Sequence, residues 1–291
     1  MYTAQIANYF GGGNERTDYP NGGWSWNILS FKIASYKVKI IQDMDIIRQN
    51  TRPIGMIPTS EIQIIGVSDF EEGRRVVNDI CRILSFASFS QVVPYHYSFR
   101  GRAITINITG EAMRFRPLIT LSNGNAAKLF IEQVWPIYRR KKKTRKLAEL
   151  IDMLTIAELP TQPLEIQLAN MFIIMENMKS TYARSKKIPF FKGYYRKISS
   201  PPKAMNKEQK YTFKELLSMM FSEVGMQPRL KRILNLRNEI IHFGLSRKPY
   251  TSLRNDYEYC HDIVREYLLR YLGYRGEYLI YSSAARAIRK I

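Results

Sequence analysis

The sequence predicts an α+β N-terminal domain followed by an all-α, four-helix bundle, on three observations. Up to about residue 134, short β-branched and aromatic segments alternate with Gly, Pro and Asn turns, which is the pattern of half-buried strands. From Trp135 onward apolar residues recur instead at three- and four-residue intervals, the helical period. Between the two halves runs Tyr138-Arg139-Arg140-Lys141-Lys142-Lys143-Thr144-Arg145-Lys146, followed by Pro160 and Pro163. The expected division is therefore an α+β sensing or recognition domain over 1–135, a basic helical linker over 136–160 and the bundle over 161–291. A chain of 291 residues has the length and apolar content for two cores.

The elements follow in order. Residues 33–41 and 61–67 read as strands. A helix over 69–88 starts at Asp69 as cap, carries Glu71 and Glu72 in its first turn, and presents Val76, Val77, Ile80, Ile83 and Leu84 as an apolar stripe. Segments 92–98 and 103–108 form a hairpin through a turn at Arg100-Gly101. After the basic run and an amphipathic helix, the spacing predicts helices over 164–184, 212–224, 228–243 and 252–272, with a Pro- and Lys-rich loop over 185–210. Four helices of these lengths suit a bundle. Leu168, Met171, Phe172, Met175 and Met178 share one broad face of the first, as core or interface residues do.

The formal charge is +20 and is spread over both halves, so it favours polyanions through phosphate contact and counterion release without marking a separate tail. RNA, DNA and anionic membrane surfaces all qualify by charge alone. Cys81 and Cys260 stand far apart and form neither a disulfide framework nor a metal-ligand spacing. The N-terminus lacks a charged start followed by an apolar core, and no eighteen apolar residues run together. A cytoplasmic protein without a membrane span is expected. Gly11-Gly12-Gly13 lacks the lysine and helix start of a P-loop, and HExxH and G-x-S-x-G are absent. NTPase, zinc-protease and α/β-hydrolase classes have no support, and neither a metal nor another cofactor is expected.

The richest stretch is Leu236-Arg237-Asn238-Glu239-Ile240-Ile241-His242-Phe243-Gly244, on a helix that Gly244 would close. Asn238 and His242 are spaced i,i+4, so they share a face on which the amide can orient the imidazole. Arg237 lies just off that face with a planar fork of donors suited to phosphate. A second stretch, Arg254-Asn255-Asp256-Tyr257-Glu258-Tyr259-Cys260-His261, fits a looser arginine-to-histidine spacing. It reads better as the start of the next helix, with Asn255 and Asp256 as caps. The first is preferred for its apolar interior and the Phe-Gly after its histidine.

Arg237, Asn238 and His242 resemble the mark of the HEPN superfamily: Arg, then often Asn, then His four to six residues beyond Arg, late in the third helix of a four-helix domain. The likeness covers roughly the last 130 residues, and its C-terminal half is similar to the Apea-like HEPN group associated with abortive infection. What the resemblance implies is a metal-independent endoribonuclease of phage defence or a toxin system, acting on RNA, whether tRNA or another single-stranded or loop RNA. It implies a homodimer whose two motifs make one composite site, with an inhibitory or activating protein partner. In that reading His242 is the acid/base group, Arg237 holds the scissile phosphate and Asn238 sets the imidazole. The alternative is a non-catalytic scaffold that binds nucleic acid or protein.

Other residues join as candidates. Glu176 is either an accessory polar member of the site or a solvated partner of Lys179. Arg139, Arg140, Lys141, Lys142, Lys143, Arg145 and Lys146 are candidate nucleic-acid contacts. Tyr194, Tyr195, Arg196 and Lys197 stand in the loop between bundle helices, where they could line an RNA entrance. His96, among Tyr95, Tyr97, Phe99, Arg100 and Arg102, belongs to an alternating strand face.

Overall fold

Alternation of buried and more exposed side chains, clearest in the segments 24–33 and 36–42, builds an antiparallel sheet from roughly the first 105 residues. The computed structural model describes residues 1–20, 22–50, 55–111, 116–159, 162–197, 210–282 and 287–291. Pro160 and the 198–209 portion of the expected Pro- and Lys-rich loop lie outside them. Strands β1 (Tyr2–Ala7), β2 (Glu15–Asp18), β3 (Trp24–Ile33) and β4 (Tyr36–Gln42) precede the short helix α1 (Met44–Gln49). Strand β5 (Pro58–Ile65), helix α2 (Phe70–Ser88) and strands β6 (Val93–Phe99) and β7 (Arg102–Thr105) follow. The strand order is β2-β3-β4-β5-β1-β6-β7, and every neighbouring pair is antiparallel.

The first strand thus lies inside the sheet between β5 and β6, with Ala4 opposite Ile62 on one side and Tyr97 on the other. The expected strand 33–41 is instead the end of β3 and most of β4, because Ala34 turns into the left-handed region at φ 50°. The 92–108 hairpin forms as β6 and β7 across Arg100 (φ 49°) and Gly101 (φ 81°), the paired positive angles that match strand twist. Helix α2 starts at Asp69, whose carboxylate accepts from the Glu72 N–H at 2.8 Å, and buries Val76, Val77, Ile80, Ile83 and Leu84. It passes so close to β1 that a Cβ at Gly73 would stand 2.2 Å from the Tyr2 ring.

The helical region comprises α3 (Gly124–Arg145), α4 (Leu147–Ala157) and α5 (Leu164–Ser185), then a small hairpin of β8 (Phe190–Phe191) and β9 (Tyr194–Tyr195). Helices α6 (Phe213–Glu223), α7 (Leu230–Phe243) and α8 (Tyr250–Tyr271) and strands β10 (Glu277–Leu279) and β11 (Ile288–Lys290) complete it. The chain divides into two compact units, Met1–Arg140 with Leu272–Ile291, and Lys141–Tyr271. The division falls inside α3, not at 135. The helix runs through Pro136 with Trp135 and Tyr138 buried, and Lys142, Lys143 and Arg145 occupy its last turn, where the dipole favours cations.

In the second unit α5 is central and packs on α4, α6, α7 and α8. Leu168, Met171, Phe172, Met175 and Met178 are all buried there. Five helices pack where the spacing predicted four, because the amphipathic helix expected in the linker docks on α5 as α4. The bundle also ends at Tyr271 rather than at 291. Beyond it, Tyr274 meets Phe130 edge-on at 5.1 Å, the Leu279 N–H donates to the Leu118 carbonyl at 2.8 Å, and Tyr281 Oη donates to the Pro117 carbonyl at 2.8 Å. Those contacts place Leu272–Ile291 in the first unit. Among the described residues no helix is long and apolar enough to cross a membrane.

Candidate functional site

Helix α7 buries Leu230, Ile233, Leu236 and Ile240 on one side, which leaves the intervening polar positions facing outward. Gly244 closes it in the left-handed region at φ 75°, its N–H donating to the Ile240 carbonyl at 2.8 Å. Arg237 sits on the border of the buried face, where its Nη2 donates to Glu176 Oε1 on α5 at 2.8 Å. Lys179 bonds the other carboxylate oxygen of Glu176. Arg237 and Lys179 both lie over the ring of Phe213 at the start of α6, at 4.7 and 4.9 Å from its centroid. A carboxylate from α5 and an aromatic face from α6 therefore fix the guanidinium. Its Nε is buried with no hydrogen-bond partner among the described residues.

Glu176 is thus at once the partner of Lys179 and a contact of Arg237, so the two sequence readings of it merge. Asn238 and His242 are exposed. The Asn238 amide oxygen accepts from Arg237 Nη1 at 3.1 Å, so in this chain it is turned to the guanidinium rather than engaged in orienting the imidazole. Around His242 the apolar side chains Ile241, Phe243, Leu245 and Tyr250 are also exposed, Phe243 at 75% and Leu245 at 69%. An exposed imidazole with four large exposed apolar residues within eight positions of it in the sequence is an unusual end for a helix in an isolated chain.

Beside Glu176, a recess of about 290 Å³ is lined by Lys146, Ile173, Asn177, Ser180, Thr181 and Arg184. The Glu176 carboxylate lines it too, engaged by Arg237 and Lys179, and the two remaining cations with amide and hydroxyl groups suit a phosphate. The Asn177 amide oxygen is buried there without a partner among the described residues. Neither the recess nor Phe213 was legible beforehand, since both depend on how α5 meets its neighbours. Lys179 was, as the i+3 neighbour of Glu176.

The basic run separates into two groups. Arg139 Nη1 pairs with buried Asp79 at 2.9 Å and lies over Trp135. Arg145 is buried, donating to Tyr267 Oη at 2.6 Å and stacking on Tyr271 at 4.5 Å. Both were candidate nucleic-acid contacts: Arg145 is instead turned into its own unit, its long stem covering aromatic surface, whereas Arg139 stays exposed while it pairs with Asp79. Arg140, Lys143 and Lys146 are exposed, while Lys141 and Lys142 are half-buried.

The second arginine-to-histidine stretch is built otherwise. Asn255 and Asp256 lie within α8, which begins at Tyr250, so they do not cap it. Asp256 is buried and pairs with Arg232 and with Lys248, the latter at 2.6 Å. Arg254 bonds Glu258 at 2.8 Å. His261 is buried with its Nε2 2.6 Å from Glu158 Oε1, beside Tyr257 and Arg265. Burial lowers its pKa below the ordinary value, and Glu158 only partly offsets this. His96 meets Thr105 Oγ1 at 2.8 Å on the outward face of β6.

Cys81 and Cys260 are buried and free, and burial raises both thiol pKa values. Among the described residues no group of three or more His, Cys, Asp and Glu side chains is gathered as for a metal ion. The first unit holds a larger cavity, about 920 Å³, with Phe10, Trp24, Trp26, Arg48, Leu121 and Tyr281 in its wall; it contains neither motif. Comparison with family models, with curated proteins and with solved structures finds no match.

Proposed function

We propose that the chain is a metal-independent endoribonuclease of the HEPN type, cutting RNA at a composite site formed by two copies. The observation that carries this reading is the end of α7. Arg237 is fixed there by Glu176 and Phe213, while Asn238 and His242 stand exposed on a segment that also exposes Ile241, Phe243, Leu245 and Tyr250. A second copy docked on those exposed apolar side chains would bring two imidazoles and two guanidiniums together about one two-fold axis.

The chemistry these groups support is transesterification. The ribose 2′-oxygen loses its proton to one imidazole and attacks the adjacent phosphorus. The bond to the 5′-oxygen breaks, and that oxygen takes a proton from the second imidazole. The products are a 2′,3′-cyclic phosphate and a free 5′-hydroxyl. Arg237 neutralises charge on the phosphorane. The net charge of +20 and the recess lined by Lys146 and Arg184 favour a polyanionic substrate. A role in phage defence or a toxin system, with a protein partner that restrains or activates cutting, belongs to the same proposal.

The test is cleavage of total RNA and tRNA in EDTA by wild type and His242→Ala, with analysis of product ends. Wild type should leave cyclic phosphates. His242→Ala should cut nothing while binding RNA within about threefold of wild type. Equal cutting by both would refute the assignment. One observation favours a second reading, a binding scaffold without catalysis: Arg237 already spends two donors on Glu176 and Asn238. A folded wild-type dimer that binds RNA and never cuts it would select that reading.

A further inference from the structure

Between α5 and α6 the chain exposes a hairpin, Phe190-Phe191-Lys192-Gly193-Tyr194-Tyr195. Lys192 and Gly193 both take positive φ, 47° and 80°, at its two-residue turn, and Phe190 pairs with Tyr195 and Phe191 with Tyr194. Strands this short do not hold themselves together in water. An anchor holds them here: Tyr195 is buried against Ala183 and Leu216, and its main-chain oxygen accepts from the Tyr211 N–H at 2.9 Å. The other three rings stay out, with Phe190 61%, Tyr194 47% and Phe191 42% exposed.

The face of the hairpin that carries Phe191 and Tyr194 also carries positive charge. Lys210 Nζ lies 3.8 Å from the Tyr194 centroid, and the Arg196 guanidinium 4.9 Å and Lys192 Nζ 5.5 Å from that of Phe191. Arg196 is itself buried beneath the hairpin, but a purely apolar partner would have to strip water from Lys192 and Lys210 without compensation. A strand of unpaired nucleotides satisfies both kinds of group, because bases stack on the rings while phosphates meet the cations. Duplex RNA does not, since its bases are already stacked and its major groove is closed to side chains.

The hairpin is also joined to the Arg237 site through ordered contacts. Tyr195 Oη lies 3.4 Å from the Ser180 carbonyl, and Ser180 lines the same recess as Glu176. Tyr211, bonded to Tyr195, precedes Thr212 and Phe213, and Phe213 carries Arg237. We infer that the 190–195 hairpin is a stacking platform for single-stranded RNA, feeding unpaired nucleotides toward Arg237. The inference rests on the RNA-cleaving reading of this unit, and it adds where the substrate is held and that it must be unpaired.

The experiment is RNA binding by the full chain carrying His242→Ala, with and without Phe190→Ser, Phe191→Ser and Tyr194→Ser together. The probes are a single-stranded oligonucleotide and a blunt duplex of equal length, titrated at several salt concentrations. Loss of the rings should weaken single-strand binding about 10- to 100-fold and leave duplex binding within about threefold. The dependence on salt should stay as it was, since no charge is removed. Lys192→Gln with Lys210→Gln should instead flatten the salt dependence. Single-strand affinity unchanged by the triple substitution, in a chain with an unaltered melting profile, would overturn the inference. So would a change of oligomeric state without a change in RNA affinity, which would assign the hairpin to a second copy. Cleavage by wild type is read separately: cutting with an unaffected triple variant sinks only the platform, and stacking without cutting sinks only the nuclease.

Discussion

Glu176→Gln tests the arrangement that fixes Arg237. The substitution keeps the shape and an acceptor for Nη2 but removes the charge shared by Arg237 and Lys179. Two unit charges about 4 Å apart at an effective dielectric of about 20 attract by about 4 kcal/mol before desolvation. The side chains of Glu176 and Arg237 are 35% and 25% exposed, so screening and desolvation reduce the net loss to roughly 1–2 kcal/mol. The two cations left over Phe213 then repel each other. For a unit of this size that corresponds to a fall in Tm of about 3–8 °C at low salt. The gap should narrow by at least about half near 1 M NaCl, where the screening length is about 3 Å. RNA should bind at least as tightly, because a competing carboxylate is gone, while cleavage falls because the guanidinium is no longer held. Differential scanning calorimetry at two salt concentrations reads the first part. A Tm within about 1 °C of wild type at low salt would refute the reasoning.

Three further outcomes are expected. Thr212→Ala removes the capping box of α6, in which the Thr212 hydroxyl accepts from the Glu215 N–H and Glu215 accepts from the Thr212 N–H; chemical denaturation should show a loss of about 1 kcal/mol. His261 has a folded pKa below its unfolded value of 6.5 because it is buried, so the unfolded chain binds more protons as pH falls. Its contribution to stability is therefore complete above about pH 6.5 and is lost below it, and His261→Gln should show a smaller drop in urea midpoint between neutral and mildly acidic buffer. An equal drop in both would dismiss His261 as the cause. Phe243→Asp, at a side chain with no fold to lose, should leave the circular dichroism melt unchanged while shifting sedimentation toward the monomer and abolishing cleavage.

Periodicity made most elements legible. Asp69 and the stripe from Val76 to Leu84 marked α2, Arg100-Gly101 marked a hairpin, and the Met-rich face of α5 marked the centre of the bundle. Turn chemistry without Gly or Pro was not legible: Ala34 breaks 33–41 into two strands at a residue with no turn preference. The return of Leu272–Ile291 to the first unit rests on contacts to Leu118 and Phe130 more than 140 residues away, which no local pattern encodes. At the site, Arg237, Asn238, His242 and Glu176 were legible by type and spacing. Phe213 and the recess were not, and burial alone separates His261 from His242.

The central claim is that two copies of α7 make one site, and mixing tests it most directly. Wild type is combined with increasing His242→Ala at constant wild-type concentration, allowed to exchange subunits, and assayed for RNA cleavage. If both copies contribute to a single site, activity per wild-type chain falls in proportion to the wild-type fraction, reaching about a tenth at a large excess of variant. Activity that stays constant across the series would show that each chain cuts alone and would contradict the account.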